Sequence, residues 1–272
     1  ITSLIISMLI GKRIINYLQR RQIGETIRNL DLEGQYRKQG TPSMGGIIII
    51  ASIVIPVLLF AKLDNVYIIL MLITTIWIGL IGFLDDYIKI FKKNKEGLAG
   101  RFKIIGQVSL GLIVALTLLF SNDVVVRVNV TAPGRAAISS IDQPGTNPGD
   151  VLPQTTAVNI KSTKTTIPFI KDNEFDYSWL VPFAEGKTKQ MLGWIVFIAV
   201  VIFIVVGVSN GVNLTDGLDG LATGTSAVAG VTLGILAYVS GNINFADYLN
   251  IMYIPAIGEL MIFAAAFAGA TV

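Results

Sequence analysis

Asn210-Gly-Val-Asn-Leu-Thr-Asp-Gly-Leu-Asp-Gly-Leu221 decides how this chain is read, because it sets two carboxylates and two carboxamides directly between two long apolar runs. Charged groups at membrane depth cost several kcal/mol each, so those that persist there usually face a cavity and serve a function. A second acidic pair, Asp85-Asp86, ends another apolar run. Whether the two clusters share one side of a membrane decides what chemistry is open to them.

Working outward, the 272 residues are 53% hydrophobic and only 14% charged, with a mean hydropathy of +0.68. A soluble domain carries nearer a quarter charged residues. Windows of about 19 residues predict seven membrane helices, near 1–18, 44–61, 66–84, 104–120, 191–209, 221–240 and 251–272. The expected fold class is an all-α polytopic helical bundle, organised as 1–120, an insertion at 121–190, and 191–272. The net charge of +3 is small, and no basic, aromatic-interleaved patch points to nucleic acid. Without cysteine there is no disulfide, thiolate metal site or thiol nucleophile. The chain starts at Ile1 inside an apolar stretch and stops at Val272 with no polar residue closing the last run. That pattern reads as a fragment, so the missing histidine can reflect a missing segment. No cleavable signal peptide is visible, as expected where the first spans direct insertion themselves.

The segments between the spans fall into two alternating sets. One holds 19–43, 85–103 and 210–220; the other holds 62–65, 121–190 and 241–250. The first carries Arg20, Arg21, Arg28, Arg37, Lys38, Lys89, Lys92, Lys93, Lys95, Arg101 and Lys103, whereas the short loops of the second offer only Lys62. Basic residues in short loops set orientation, so the first set is expected in the cytoplasm. Both acidic clusters then face inward and can share a site. Between the fourth and fifth spans, Val126-Arg-Val-Asn-Val-Thr131 alternates apolar and polar residues, as a half-exposed strand does. Pro and Gly punctuate 133–153, and Thr163 to Ile170 suggests a second strand. The expectation is a small β-rich extracytoplasmic insertion, serving as spacer, lid or binding surface. Asn129-Val-Thr131 also fits a glycosylation sequon, a pattern common by chance. No internal repeat is evident, which counts mildly against transporters built on inverted repeats.

Four polar segments border the membrane on the expected inner side. On a helix Lys89 falls four residues after Asp85 and three after Asp86, within reach of both. The pair is either a solvated helix end with a local ion pair, or a site for Mg²⁺ or a proton, since hard oxygens suit Mg²⁺ beside substrate phosphates. Adjacent like charges also need a compensating cation, either the metal or Lys89. Asn213, Asp216 and Asp219 recur every three residues, so a helical turn would stack them on one face. Thr215 or Asp216 capping the next helix is the plainer reading, but it leaves Asn210, Asn213 and Asp219 unexplained. Lys38-Gln-Gly-Thr-Pro-Ser-Met-Gly-Gly46 makes a stiff turn with a cation and the Ser43 hydroxyl. By itself it is a weak motif. Gly97-Leu-Ala-Gly-Arg-Phe-Lys103 puts Arg101 and Lys103 beside the next span, where they satisfy charge bias or bind anionic lipid headgroups. Carboxylates for a metal, cations for phosphates and carboxamides for a polar ligand together suggest phosphoryl chemistry on a lipid phosphate.

At these residues the chain resembles the phospho-N-acetylmuramoyl-pentapeptide transferases, within the polyprenyl-phosphate N-acetylhexosamine-1-phosphate transferase superfamily. The motifs that carry the likeness are Gly40-Thr-Pro-Ser-Met-Gly-Gly46, Asp85-Asp86-Tyr87-Ile88-Lys89, Gly97 to Lys103 and Asn210 to Leu221, with weaker support from Pro255-Ala-Ile-Gly-Glu259. It covers nearly everything except 121–190, which looks longer than the usual family loop. The resemblance implies a ten-helix enzyme of the bacterial inner membrane, with a possible homodimer. Such enzymes move phospho-MurNAc-pentapeptide from UDP-MurNAc-pentapeptide to undecaprenyl phosphate, giving lipid I and UMP with Mg²⁺. By motif, Asp85, Asp86 and Asp216 would be the catalytic carboxylates, Asp85 as base toward the lipid phosphate or as nucleophile. Asp85 and Asp86 would also support the metal. Asn210, Asn213 and Asp219 would line the nucleotide and diphosphate region, and Lys38, Ser43, Lys89, Arg101 and Lys103 would hold substrate groups. The family's principal metal-binding aspartate and its His-rich loop have no counterpart in these residues, so this segment alone is expected to be inactive. The nearest rival is a sister enzyme that transfers GlcNAc-1-phosphate. An ion-coupled transporter or Mg²⁺ channel would instead place acids near span centres, and a scaffold would leave the polar motifs without purpose.

Overall fold

The apolar runs form helices, and most of these outlast the apolar stretch that predicts them. The computed structural model describes residues 1–20, 44–92, 94, 97–131, 155–167, 170, 173–215 and 220–272. Within these, α1 is Thr2–Arg20, α2 Gly46–Phe60, α3 Val66–Phe91, α4 Gly100–Phe120, α5 Gly186–Thr215, α6 Leu221–Ser240, α7 Ile243–Tyr248 and α8 Leu260–Thr271. Four of them, α3 to α6, are long and apolar enough to cross a membrane. The protein is a multi-pass, mainly helical membrane protein. The predicted first span carries Lys12 and Arg13 inside α1. The 15 residues of α2 reach only roughly 22 Å at 1.5 Å per residue.

Two helix boundaries depart from the sequence reading for identifiable reasons, the end of α3 and the start of the final helix. Helix α3 begins where the Asn65 side chain accepts hydrogen bonds from the amides of Tyr67 (2.9 Å) and Ile68 (3.4 Å), an N-cap that satisfies two orphan donors. It continues past the predicted stop at 84 to Phe91. No Gly or Pro interrupts 84–91, and a lysine at position 89 suits a helix C-terminus. Helix α6 starts at Leu221, where its apolar run predicts, with Gly220 before it in the left-handed region at φ 80°. The final helix starts at Leu260 rather than 251. Pro255 removes an amide and disfavours helix at Ile254, so 251–256 runs irregularly until Ala256, at φ 64°.

The helices approach one another through small residues, as membrane helices do. At Gly111 of α4 an added Cβ would lie 2.9 Å from the Ile202 Cα of α5, so only glycine permits that crossing. The Ser3 hydroxyl of α1 donates to the Ala266 carbonyl of α8 at 2.7 Å. The core joins α2, α3 and α8 through Ile53, Val57, Ile68, Phe263, Ala266 and Ala270.

One end of the bundle gathers the 62–65 turn, the insertion and the 241–259 connection. Lys62 pairs with Glu259 at 3.4 Å, and the Asn65 amide donates to the Ala256 carbonyl at 2.8 Å. In the insertion, β1 (Val126–Thr131) pairs antiparallel with β2 (Thr155–Ile160), Val126 opposite Ile160 and Thr131 opposite Thr155. The Arg127 amide donates to the Tyr253 carbonyl at 3.0 Å, tying that sheet to the α7–α8 connection. The first strand falls where its alternation predicts. The second expected strand shortens to β3, Lys164–Thr166, paired with β4, Glu174–Asp176. The chain turns back there: the Asn173 amide donates to the Ile170 carbonyl at 2.9 Å, and Asn173 sits at φ 54°. The opposite end holds the C-termini of α3 and α5 and the N-terminus of α4. The described parts of the two loop sets therefore lie at opposite ends, as their alternation requires.

Candidate active site

The last turns of α3 present Asp85, which is 9% exposed although it bears a charge. Three donors converge on it. Lys89, one turn on, brings its Nζ to 2.8 Å from Oδ2. Lys103, from the first turn of α4, brings Nζ to 2.9 Å from Oδ1. The Leu98 amide donates to the same Oδ1 at 2.8 Å. Charge-assisted bonds of this kind are about twice as strong as neutral ones, and together they offset the cost of burying the carboxylate. Gly97 makes the approach possible. It sits at φ +71°, and a Cβ there would come within 2.5 Å of Oδ1. The Gly97 amide donates to the Asn94 carbonyl at 3.1 Å, closing the turn that aims the next amide at Asp85.

One turn further along α4, Gln107 is 6% exposed within an apolar face. Its Nε2 donates to Ser209 Oγ at 3.0 Å, and the Asn210 amide donates back to Gln107 Oε1 at 2.9 Å. Asn210 also donates to the Val206 carbonyl at 2.8 Å. This carboxamide pair clamps α4 to α5. Because Lys103 and Gln107 are four residues apart, the clamp and the Asp85 cluster share one face of α4.

The predicted site residues divide as follows. Asp85, Lys89 and Lys103 come together directly. Asp86 follows Asp85 on α3, half-buried. Arg101 turns away, its guanidinium 5.1 Å over the ring of Phe102. Asn210 is engaged by Gln107, and Asn213 is exposed on the last turn of α5. Lys38, Ser43, Asp216 and Asp219 lie outside the described residues. Just after Ser43, buried Met44 packs with Leu18, Ile14 and Ile90, which brings the start of α2 to the end of the bundle that holds Asp85. Among the described residues, no three acidic side chains gather as a metal cluster. Asp85 meets an ammonium group at each oxygen, so a cation bound there would share the carboxylate with the lysines.

Gln107 escaped the sequence reading, and the motif that opens with Gly97 and Leu98 was read only for Arg101 and Lys103. Gln107 did leave a signal: a carboxamide in an apolar run, one turn from a lysine of the cluster.

This cationic, motif-lined end agrees with comparison to known proteins. The sequence profile of glycosyl transferase family 4 matches residues 68–270. The chain belongs to glycosyl transferase family 4. Within that family, residues 38–50 match phospho-N-acetylmuramoyl-pentapeptide-transferase signature 1. A relative from Parabacteroides distasonis named phospho-N-acetylmuramoyl-pentapeptide-transferase is 58% identical over all of this chain and 62% of its own length. Relatives of the same name from Flavobacterium psychrophilum and Porphyromonas gingivalis are 56% and 54% identical over all of this chain, and over 64% and 62% of their own lengths. The family 4 chain thus spans less than two thirds of the curated relatives it matches.

Proposed function

We propose that the full-length protein transfers phospho-MurNAc-pentapeptide from its UDP carrier to undecaprenyl phosphate, forming lipid I and UMP for the bacterial cell wall. The observation that carries this reading is the position of Asp85. It is a buried carboxylate held by two lysines, at the end of the bundle where the matched 38–50 segment enters α2. Two ammonium groups converging on one point make a donor set suited to phosphate esters. Asp85 would take the proton of the lipid phosphate or attack the sugar phosphate. Asp86, Asp216 and Asp219 would stand beside it, and Asn213 would meet the nucleotide. Lys38, Ser43 and Arg101 would add polar contacts to the substrates. The site faces the cytoplasm of the inner membrane in this reading, because its loops carry the basic residues.

Mg²⁺ is the cofactor proposed. Asp85 and Asp86 supply hard oxygens, but alone they do not complete a site while the lysines hold Asp85. The resemblance places the principal ligand in a segment this chain does not contain. When bound, the ion would offset charge on the diphosphate.

The test supplies purified full-length protein with undecaprenyl phosphate, Mg²⁺ and either UDP-MurNAc-pentapeptide or UDP-GlcNAc. UMP release with the muramoyl donor supports the proposal. Release with UDP-GlcNAc alone assigns the sister activity, and release with neither donor refutes both.

A further inference from the structure

We infer that Lys89, Lys103 and the Leu98 amide form an oxyanion cradle for a substrate phosphate, and that Asp85 fills it until the phosphate arrives. The inference rests on the proposal that this site handles phosphate esters. It adds that the carboxylate and the phosphate exchange places.

Three donors within 2.8–2.9 Å of one carboxylate, two of them cationic, make the set that grips a phosphate. Gly97 at φ +71° shapes the cradle, because any side chain there would collide with the bound oxygen. The lysine side chains keep 43% and 29% of their exposure, against 13% for that of Asp85. Both lysine side chains are thus more exposed than the carboxylate they hold. A phosphate monoester carries about −1.5 to −2 charge and three strong acceptor oxygens, against one charge on Asp85. Lysine ammoniums on flexible four-carbon stems turn readily from one acceptor to another. Exchange frees Asp85 only when a phosphate is seated, which couples the carboxylate's availability to substrate occupancy. A permanent ion pair that merely fastens α3 to α4 lacks this coupling.

The experiment measures dissociation constants of inorganic pyrophosphate and farnesyl phosphate in magnesium-free buffer, with the full-length protein in nanodiscs. Removing the resident anion with Asp85→Asn is expected to tighten at least one probe by about fivefold, the scale of one partly exposed ion pair. Asp85→Glu, which keeps the charge, returns binding toward the wild-type value, and Lys103→Gln weakens the tightened probe. Tightening confined to pyrophosphate assigns the cradle to the donor's diphosphate; tightening confined to farnesyl phosphate assigns it to the lipid. Where Asp85→Asn is not monodisperse, Asp85→Ala makes the same comparison. Unchanged or weaker binding of both probes in a folded variant overturns the inference. Binding is read without turnover, so that result leaves the donor assay standing on its own.

Discussion

Two ion pairs at opposite ends of the molecule look alike on paper and differ in kind. At the insertion, Lys164 Nζ meets Glu174 Oε2 at 2.6 Å across the β3–β4 hairpin, with both side chains about a third or more exposed. At the other end Asp85 is buried, held by cations from two helices and by a backbone amide that only glycine at position 97 allows. The first is local and water-screened, and such pairs contribute roughly 0–1 kcal/mol. The second spends tertiary structure on keeping one charge in place. One carboxylate is held by tertiary packing, the other by a local pair alone.

The widest separation between the two ends should appear in turnover. In the full-length protein, Asp85→Asn is expected to lower UMP release by about 10²–10⁴-fold, while Glu174→Gln stays within about twofold because a screened hairpin pair carries little energy. Equal losses in both would erase the contrast. Next comes Gly97→Ala, whose Cβ would fall 2.5 Å from Asp85 Oδ1. A shift of about 1 Å in a reacting group can cost a hundredfold, and a loss of that order is expected. Gly82→Ala, on the helix that carries Asp85 and with nothing within 4 Å of an added Cβ, is the control and should keep its activity.

These two glycines also show what the sequence could reveal. Apolar period and loop charge exposed the spans, the alternation of ends, β1 and the Asp85–Lys89 spacing, because each depends on residues close in the chain. Lys103 meeting Asp85 and Gln107 meeting Asn210 depend on how α3, α4 and α5 pack, which no local pattern encodes. The extension of α3 to Phe91 was missed because hydropathy ends at Leu84, whereas helix propensity does not. The late start of α8 was missed because an apolar run hid the break at Pro255. Asp216 and Asp219 lie outside the described residues, so their place in the site rests on the motif.

Smaller effects sharpen the contrast further. Gln107→Leu removes one of the two acceptors of the Asn210 amide, leaving it the Val206 carbonyl. The expected cost is about 0.6–2 kcal/mol of stability, read as a lower Tm in detergent. Asn210→Leu on that background should add little, since the two side chains act as a unit.

The smallest effect belongs to the insertion. Burial pushes the Asp176 carboxyl up, but hydrogen bonds from Ser178 and Thr163 and the nearby Lys164 outweigh it and hold it below the ordinary carboxylate range. A carboxyl depressed in the folded state stabilises above its unfolded value of about 3.9, and that stability is lost as pH falls through the folded value. Acidification below about pH 4 should therefore loosen the Tyr177–Leu180 turn, read through the fluorescence of Trp179. Asp176→Asn should remove that pH dependence.

The most direct test of the account asks whether these two ends lie on opposite sides of the membrane, with the Asp85 cluster inside. This chain contains no cysteine, so single replacements at exposed Asn213 and exposed Leu180 report the two ends separately, in a full-length protein cleared of any other thiol. A membrane-impermeant thiol reagent should label Leu180→Cys in intact cells and Asn213→Cys only in inverted vesicles. Labelling of Asn213→Cys from outside intact cells would put the lysine-held carboxylate on the wrong side for a cytoplasmic nucleotide donor, and would contradict the account.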